Sequence, residues 1–491
     1  MKTMNKAFFL LLLTLYWGCA EPLHPIEIAN EHDASIGTRS YGVEDNREDR
    51  DSLVQISQTP IDFFSEMSFS EWTRIRGVEN RFSACNVSNE ILETKTTYAL
   101  AKSLLHYPLN YLIFVYDNPQ EAIQLVMDKS KLHQAFVQRN DAAQVISELF
   151  AGLLLDMSIE KSSFDDNYAV LSYMNEMFLE YFICSGIIPG IFTGDSSIVL
   201  ERAAREKLSL RESEQEVFSQ ISKYPLIEII NRINELKDEP ISVTDTSPIR
   251  LSTVTIYTFF KQSLTGYHFD EMSSTELVNL TNALLTQHPN AIMRGSATNK
   301  YNCHSYAWYN NSIYNNIWLY ASINGNNQLS KYWTNDLYVS CTQSSAEKVY
   351  YPSGDHSAIV LSNGKYLSKW GAGPLMEHDY DDCPYNSSNL QYYAERTTPL
   401  LHFTTISGDS PIFINQSSTY SFNTNYNMSF TVQMEYNESN DPLPCTLSQI
   451  STGSYSLTCY DPGYYVMIVE GYRNGNCIAR TTKDIIAWGV Y

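Results

Sequence analysis

Asn299-Lys-Tyr-Asn-Cys-His-Ser-Tyr-Ala-Trp308 is the stretch on which the fold of this chain turns. Asn302 is a capping residue type, Cys303 would open a helix, and Tyr306, Ala307 and Trp308 would carry it inward. A second stretch answers it, Gly354-Asp-His-Ser-Ala-Ile-Val-Leu-Ser-Asn-Gly-Lys-Tyr-Leu-Ser-Lys-Trp-Gly371. Ser357 to Leu361 predicts a strand headed by His356. Asn363-Gly364 predicts a tight turn, and Tyr366 to Ser368 the return strand. A thiol at a helix start and a histidine on a nearby strand are the minimum for a cysteine nucleophile. The helix end favours thiolate, and imidazole takes or returns the proton. The N–H groups of the first helical turn would help hold an oxyanion. Taken alone, the first stretch fits a buried structural cysteine equally well.

Outward from this centre the character of the chain changes twice. Residues 52–237 carry helical periodicity. Asn118-Pro119-Gln120-Glu121 reads as N-cap, first-turn proline and capping-box glutamate, followed by Ala122, Leu125, Val126 and Leu132 at helical spacing. Asn140-Asp141 starts another helix, and Tyr168–Ile183 and Ile198–Ile221 predict two more, with a break at Gly186–Gly190. No chemical cluster is visible there; His106 and His133 read as packed or surface histidines. Residues 238–250 read as a linker, Leu277–His288 as a helix, and 251–405 as the domain holding both central stretches. In 409–491 short alternating strands (Phe430 to Tyr436, Tyr455 to Cys459, Tyr465 to Val469) and an Asn474-Gly475 hairpin predict an immunoglobulin-like β-sandwich. The expected fold class is multidomain α+β.

The 491 residues suffice for roughly three domains of about 150 each. A net charge of −22 argues against binding a nucleic-acid backbone, which needs a basic face. At the N-terminus Lys2 and Lys6 precede an apolar run, Ala7 to Trp17, too short to span a bilayer. Leu15-Tyr-Trp-Gly-Cys19 resembles a bacterial lipobox. Residues 1–18 are therefore read as a lipoprotein signal peptide, Cys19 as the lipidated residue and the acidic stretch 19–51 as a tether. A lipid on Cys19 would be the membrane anchor.

Eight further cysteines show no CxxC pair and no zinc spacing. No phosphate loop and no HExxH occur, and Asp379, Asp381 and Asp382 lack calcium-loop spacing. No cofactor and no metal site is expected.

Asn302-Cys303-His304-Ser305-Tyr306 and the hairpin from His356 through Gly364 resemble the two signatures of NlpC/P60 cysteine peptidases and amidases, which are papain-like. Lys369-Trp370-Gly371, His378 and Cys383-Pro384-Tyr385 look like a subgroup of exported bacterial lipoproteins. The resemblance implies a helix bearing cysteine packed on a small sheet bearing histidine, with Cys303 as nucleophile and His356 as base. It also implies a third polar residue that orients the imidazole. That place falls at Ser368, with His378 and Asp379 on the next loop as alternatives. His304 is a poor base for its neighbour, because consecutive helical side chains diverge by about 100°. Asp355 is read as a turn residue facing away from His356. Tyr301 is a candidate oxyanion hydroxyl.

The expected function is a lipid-anchored hydrolase of the bacterial cell envelope that cleaves amide bonds, with peptidoglycan stem peptides or another peptide amide as implied substrate. The alternative is a non-enzymatic surface lipoprotein whose degenerate papain-like module binds a partner or glycan.

Overall fold

The computed structural model describes residues 57–160, 166–213, 219–237, 252–436 and 443–489. The expected signal peptide, Cys19, the acidic tether and the linker 238–250 lie outside the described residues. The architecture is mixed α+β, with helices in the first half and several antiparallel sheets after them.

Local chemistry sets the helix starts. Asn118 accepts from the Gln120 N–H and Pro119 opens Pro119–Lys129 as expected, while Glu121 stays in solvent and out of the cap. The expected helix Tyr168–Ile183 is Asp166–Cys184. In place of Ile198–Ile221 there are two helices, Gly194–Ser213 and Gln220–Leu236, the second with Ser219 at its N-cap. The helix expected from Leu277 starts earlier, as Ser274–Gln287, because Ser273 and Glu276 form a reciprocal capping box. Glu276 also accepts from the Ser219 N–H and the Tyr173 hydroxyl, so this cap ties three segments together. His133 is buried among Tyr107, Phe178 and Phe182, its Nδ1 2.8 Å from Ser130 Oγ.

The central sheet has seven strands. Their order is Ile292–Gly295, Leu375–His378, Tyr366–Lys369, His356–Val360, Lys348–Tyr351, Gln391–Glu395 and Tyr338–Ser340, and every neighbouring pair is antiparallel. The hairpin expected at Asn363-Gly364 is there. Gly364 has φ +78°, and Asn363 Oδ1 accepts from the Lys365 N–H.

Helices and sheet share one apolar core, running from Trp72 and Phe82 through Phe178 and Leu284 to Tyr351, Trp370 and Tyr385. Polar contacts cross the same boundary: Trp72 Nε1 donates to Gln287 Oε1 at 2.7 Å, and Arg81 to the Gln287 carbonyl at 2.8 Å. Each fully buried large apolar side chain in such a core contributes roughly 1.5–3 kcal/mol. The helical half is thus part of the support of the sheet and of what the sheet carries.

In the C-terminal region a sheet of Ser429–Tyr436, Gly463–Arg473 and Asn476–Trp488, edged by Leu400–Leu401 and Ile412–Phe413, accompanies a three-stranded sheet of Ser417–Ser421, Ser454–Cys459 and Cys445–Ser451. Both contribute to one core, with Tyr420 and Leu457 from one and Tyr465, Met467 and Ile485 from the other. Asn474 and Gly475 both have positive φ, the backbone of a tight hairpin turn whose twist suits the strands. None of the described cysteines is in a disulfide; Cys445 and Cys459 are directly opposed across strands.

Candidate active site

Cys303 and His304 begin a short helical segment that widens into a π turn over Ser305–Tyr309. Asn302 caps it: its Oδ1 accepts from the Ser305 N–H at 3.1 Å and the Leu319 N–H at 3.2 Å. Its Nδ2 donates to Asp117 Oδ2 and to the Leu319 carbonyl, both at 2.8 Å. All four bonds of the amide are used, so the start of the segment is fixed in direction. Trp308 and Ala307 anchor the other end among Ile256, Leu264, Ile317 and Leu319.

The strand His356–Val360 meets this segment through Ser357. The Ser357 backbone makes a hydrogen bond that favours the Cys303 thiolate, and Ser357 Oγ lies 2.9 Å from both His304 Nδ1 and Trp308 Nε1. Burial nevertheless dominates at Cys303, which is 1% exposed, and raises its pKa. The His304 charge and a hydrogen bond from that imidazole oppose the rise. Burial thus works against the thiolate expected from a helix end, and the neighbouring His304 works for it.

His304 Nε2 faces a gap between two carboxylates. Its Nε2 is 3.7 Å from Asp117 Oδ2 and 3.4 Å from Asp355 Oδ1. Burial works against a charge on this imidazole. The neighbouring sulfur and the Asp355 carboxylate outweigh it and hold its pKa well above the usual value. Burial in turn raises the Asp117 carboxyl, while the His304 charge draws it down. Asp117 comes from the helical half, immediately before the Asn118 cap, and sequence reasoning did not find it. Asp355 has φ +43°, so it breaks the strand alternation and brings its carboxylate to His304. The neighbouring Gly354 is required by close approach, since a Cβ there would lie 2.8 Å from the Asn386 backbone.

His356 is fully buried, and neither ring nitrogen has a hydrogen-bond partner. Its ring stacks on Tyr385 at a centroid distance of 3.6 Å and meets Tyr351 edge-on at 5.2 Å. The Tyr385 hydroxyl donates to the Val115 carbonyl at 2.6 Å, so the helical half holds the ring that covers the imidazole. Burial, then the charges of His378 and His304, push the His356 pKa well below the usual value and keep it neutral.

Ser368 and His378 bond each other: Oγ to Nε2 is 2.7 Å, and His378 Nδ1 lies 2.7 Å from the Asp379 carbonyl. Neither bonds His356. Asp379 instead pairs with Arg76 and Lys365. Lys369, beside Ser368, is buried with its ammonium on the carbonyls of Thr298, Gly371 and Gly373, and burial lowers its pKa to about 7. Tyr301 is buried with its ring over that ammonium, 5.2 Å away.

Two cavities of about 590 Å³ each open elsewhere. One lies between Phe63, Tyr107 and Met174 in the helical half; the other between Tyr257, Tyr309, Tyr338, Glu347 and Arg473. Neither is lined by Cys303, His304 or His356. No protein-family model, no curated protein and no solved structure matches the chain.

Proposed function

We propose that the protein is a cysteine hydrolase of amide bonds, built on a papain-like core of the NlpC/P60 kind and followed by an immunoglobulin-like sandwich. The observation that carries this reading is the apposition of the Asn302-capped Cys303 turn to the strand His356–Val360, with a neutral histidine whose nitrogens are unpartnered at the head of that strand. Cys303 attacks the carbonyl, His356 takes the thiol proton and returns it to the leaving amine, and water releases the acyl group. His304, held by Asp117 and Asp355, supplies positive charge beside the sulfur and lowers the cost of the thiolate. With Cys303 and His356 both buried, the resting form is closed. Tyr385 must leave the face of His356 before the pair can work on a substrate.

The test is covalent capture. A panel of peptides carrying a thiol-reactive acyloxymethyl ketone, stem peptides among them, is incubated with the full chain and the adduct located by mass spectrometry. The expected adduct is on Cys303 and falls sharply in His356→Ala. Burial of both side chains favours a second reading, a non-enzymatic module that binds a partner or glycan. Failure of every peptide to label Cys303 while the protein is folded selects it.

Anchoring is proposed at Cys19, on the short apolar run that ends in Gly18-Cys19 and the acidic stretch after it. No helix among the described residues is long and apolar enough to cross a membrane. Cys19→Ala is expected to move the protein from the membrane to the soluble fraction. A variant that stays with membranes as fully as the parent rules the lipid anchor out.

A further inference from the structure

We propose that Asp117 Oδ2, His304 Nε2 and Asp355 Oδ1 bind one divalent transition-metal ion of the zinc or manganese kind. The three ligand atoms lie within 4.8 Å of one another. The imidazole nitrogen is 3.7 and 3.4 Å from the two carboxylate oxygens. A charge-assisted hydrogen bond would close such gaps to about 2.7–2.9 Å. Ligands at about 2.0–2.2 Å from a tetrahedral ion stand roughly 3.3–3.6 Å apart. The observed separations leave room for an ion between the three atoms.

The second observation concerns the imidazole. His304 is fully buried, and its Nε2, aimed into the gap, makes no hydrogen bond of normal geometry; the two carboxylates stand off at 3.4 and 3.7 Å. A buried polar atom left this way costs free energy unless a ligand satisfies it. Its other nitrogen is engaged, Nδ1 lying 2.9 Å from Ser357 Oγ. Trp308 Nε1 donates to the same oxygen at 2.9 Å, which leaves a lone pair to accept the Nδ1 proton. That tautomer turns the Nε2 lone pair toward the ion, as the outer partners of metal-bound histidines do. Asp117 has its own outer partner in Asn302 Nδ2, at 2.8 Å on Oδ2.

One imidazole and two carboxylates suit zinc or manganese better than calcium or magnesium, which prefer oxygen throughout. The Asp355 side chain is 35% exposed and gives the ion a route from solvent, while His304 and Asp117 close the site from within. The ion would tie the segment before Pro119, the Cys303 turn and the loop before His356 together. The sulfur is not among the ligands, and the inference holds whether or not the chain is a hydrolase.

The full chain, stripped with chelator, is dialysed against Zn²⁺ and the bound metal counted by mass spectrometry, with Ca²⁺ as comparator. The expected result is one zinc per chain, a raised melting temperature on zinc addition and no comparable response to calcium. Asp355→Asn, an isosteric change at a half-buried turn, should weaken zinc by about 100-fold or more and remove the thermal response. Asp117→Asn and His304→Gln should do the same, and Cys303→Ala should keep the zinc. Absence of both stoichiometric zinc and, in a parallel dialysis, stoichiometric manganese in the parent overturns the proposal. So does uptake that survives Asp355→Asn and His304→Gln, or uptake lost in Cys303→Ala, which would put the ion on the thiol.

Discussion

Replacing Cys303 by alanine is expected to abolish cleavage of whatever amide the protein hydrolyses, and His356→Ala to lower the rate by about 10²–10⁴-fold. The double variant should be no worse than Cys303→Ala alone, because nucleophile and base act as a unit. His356 is cast as base because it is neutral with both nitrogens unengaged, although neither bonds Cys303 in the resting form, whereas His304 already faces Ser357, Asp117 and Asp355 and interacts with the sulfur. Cys303→Ser should fail as well, since a hydroxyl is far less acidic than a thiol and gains little from a neighbouring positive charge. Tyr385→Ala serves as a control on the closed resting form. Freed of the ring that covers it, His356 should become accessible, and Cys303 should react faster with iodoacetamide than in the parent. The measurement is kcat and KM on stem peptides and a panel of other peptide amides. Equal cleavage by parent and Cys303→Ala would refute the site. Loss in His304→Ala with full activity in His356→Ala would move the base to His304.

The centre of this site was legible where chemistry is local. An asparagine before a helical run caps it, so Asn302 bonding the Ser305 N–H is readable from four residues. An Asn-Gly between apolar runs turns a strand back, and it does so between His356–Val360 and Tyr366–Lys369. What was not legible depends on distance in the chain or on one dihedral angle. Asp117 lies in the helical half, and nothing in its surroundings tells of His304. Asp355 follows a strand rule only if the strand extends to it. Its positive φ ends the alternation one residue early and turns the carboxylate to His304. The divergence of about 100° between successive helical side chains predicts that Cys303 and His304 do not meet. In the folded chain the imidazole interacts with the sulfur as well as facing Asp117 and Asp355. Ser368 and His378 were each expected to orient His356. They sit on paired strands in a register that matches Met376 with Ser368 and His378 with Tyr366, close enough to bond each other. Periodicity tells which face of an element is apolar and not what covers it. The core shared by helices and sheet, with Tyr385 held to Val115, therefore appears only in the folded chain.

The same limit applies to the charges in the helical half, and there it carries the largest expected loss of stability. Arg211 is nearly buried, and its two terminal nitrogens grip Glu180 at 2.8 Å each, in the planar two-point fit that only a guanidinium gives. It also bonds the Ser222 carbonyl and approaches Glu176 at 3.4 Å, while Lys207 bonds Glu176 from the other side. Burial would raise the Glu176 carboxyl, but Lys207 and Arg211 outweigh it and hold the pKa below the ordinary value. Burial raises the Glu180 carboxyl to about 7 with Arg211 opposing it, so on the helices Asp166–Cys184 and Gly194–Ser213 Arg211 is what favours a charged Glu180 in the interior. Arg211→Met removes one cation and leaves the fully buried Glu180 without it. The expected cost is about 3–5 kcal/mol, a large share of the roughly 5–15 kcal/mol that keeps a domain folded. Arg211→Lys should fall between, keeping the charge and losing the two-point grip. Arg211→Met combined with Glu180→Met should recover most of the loss, since apolar side chains of similar size replace a buried pair at little cost. Urea unfolding followed by far-ultraviolet circular dichroism measures all three. The effect should change little between low and moderate salt, because buried charges are weakly screened. A loss below about 1 kcal/mol in Arg211→Met would mean that water reaches the cluster. A double variant weaker than the single one would mean that Glu180 stabilises the helices by some means other than its pairing with Arg211.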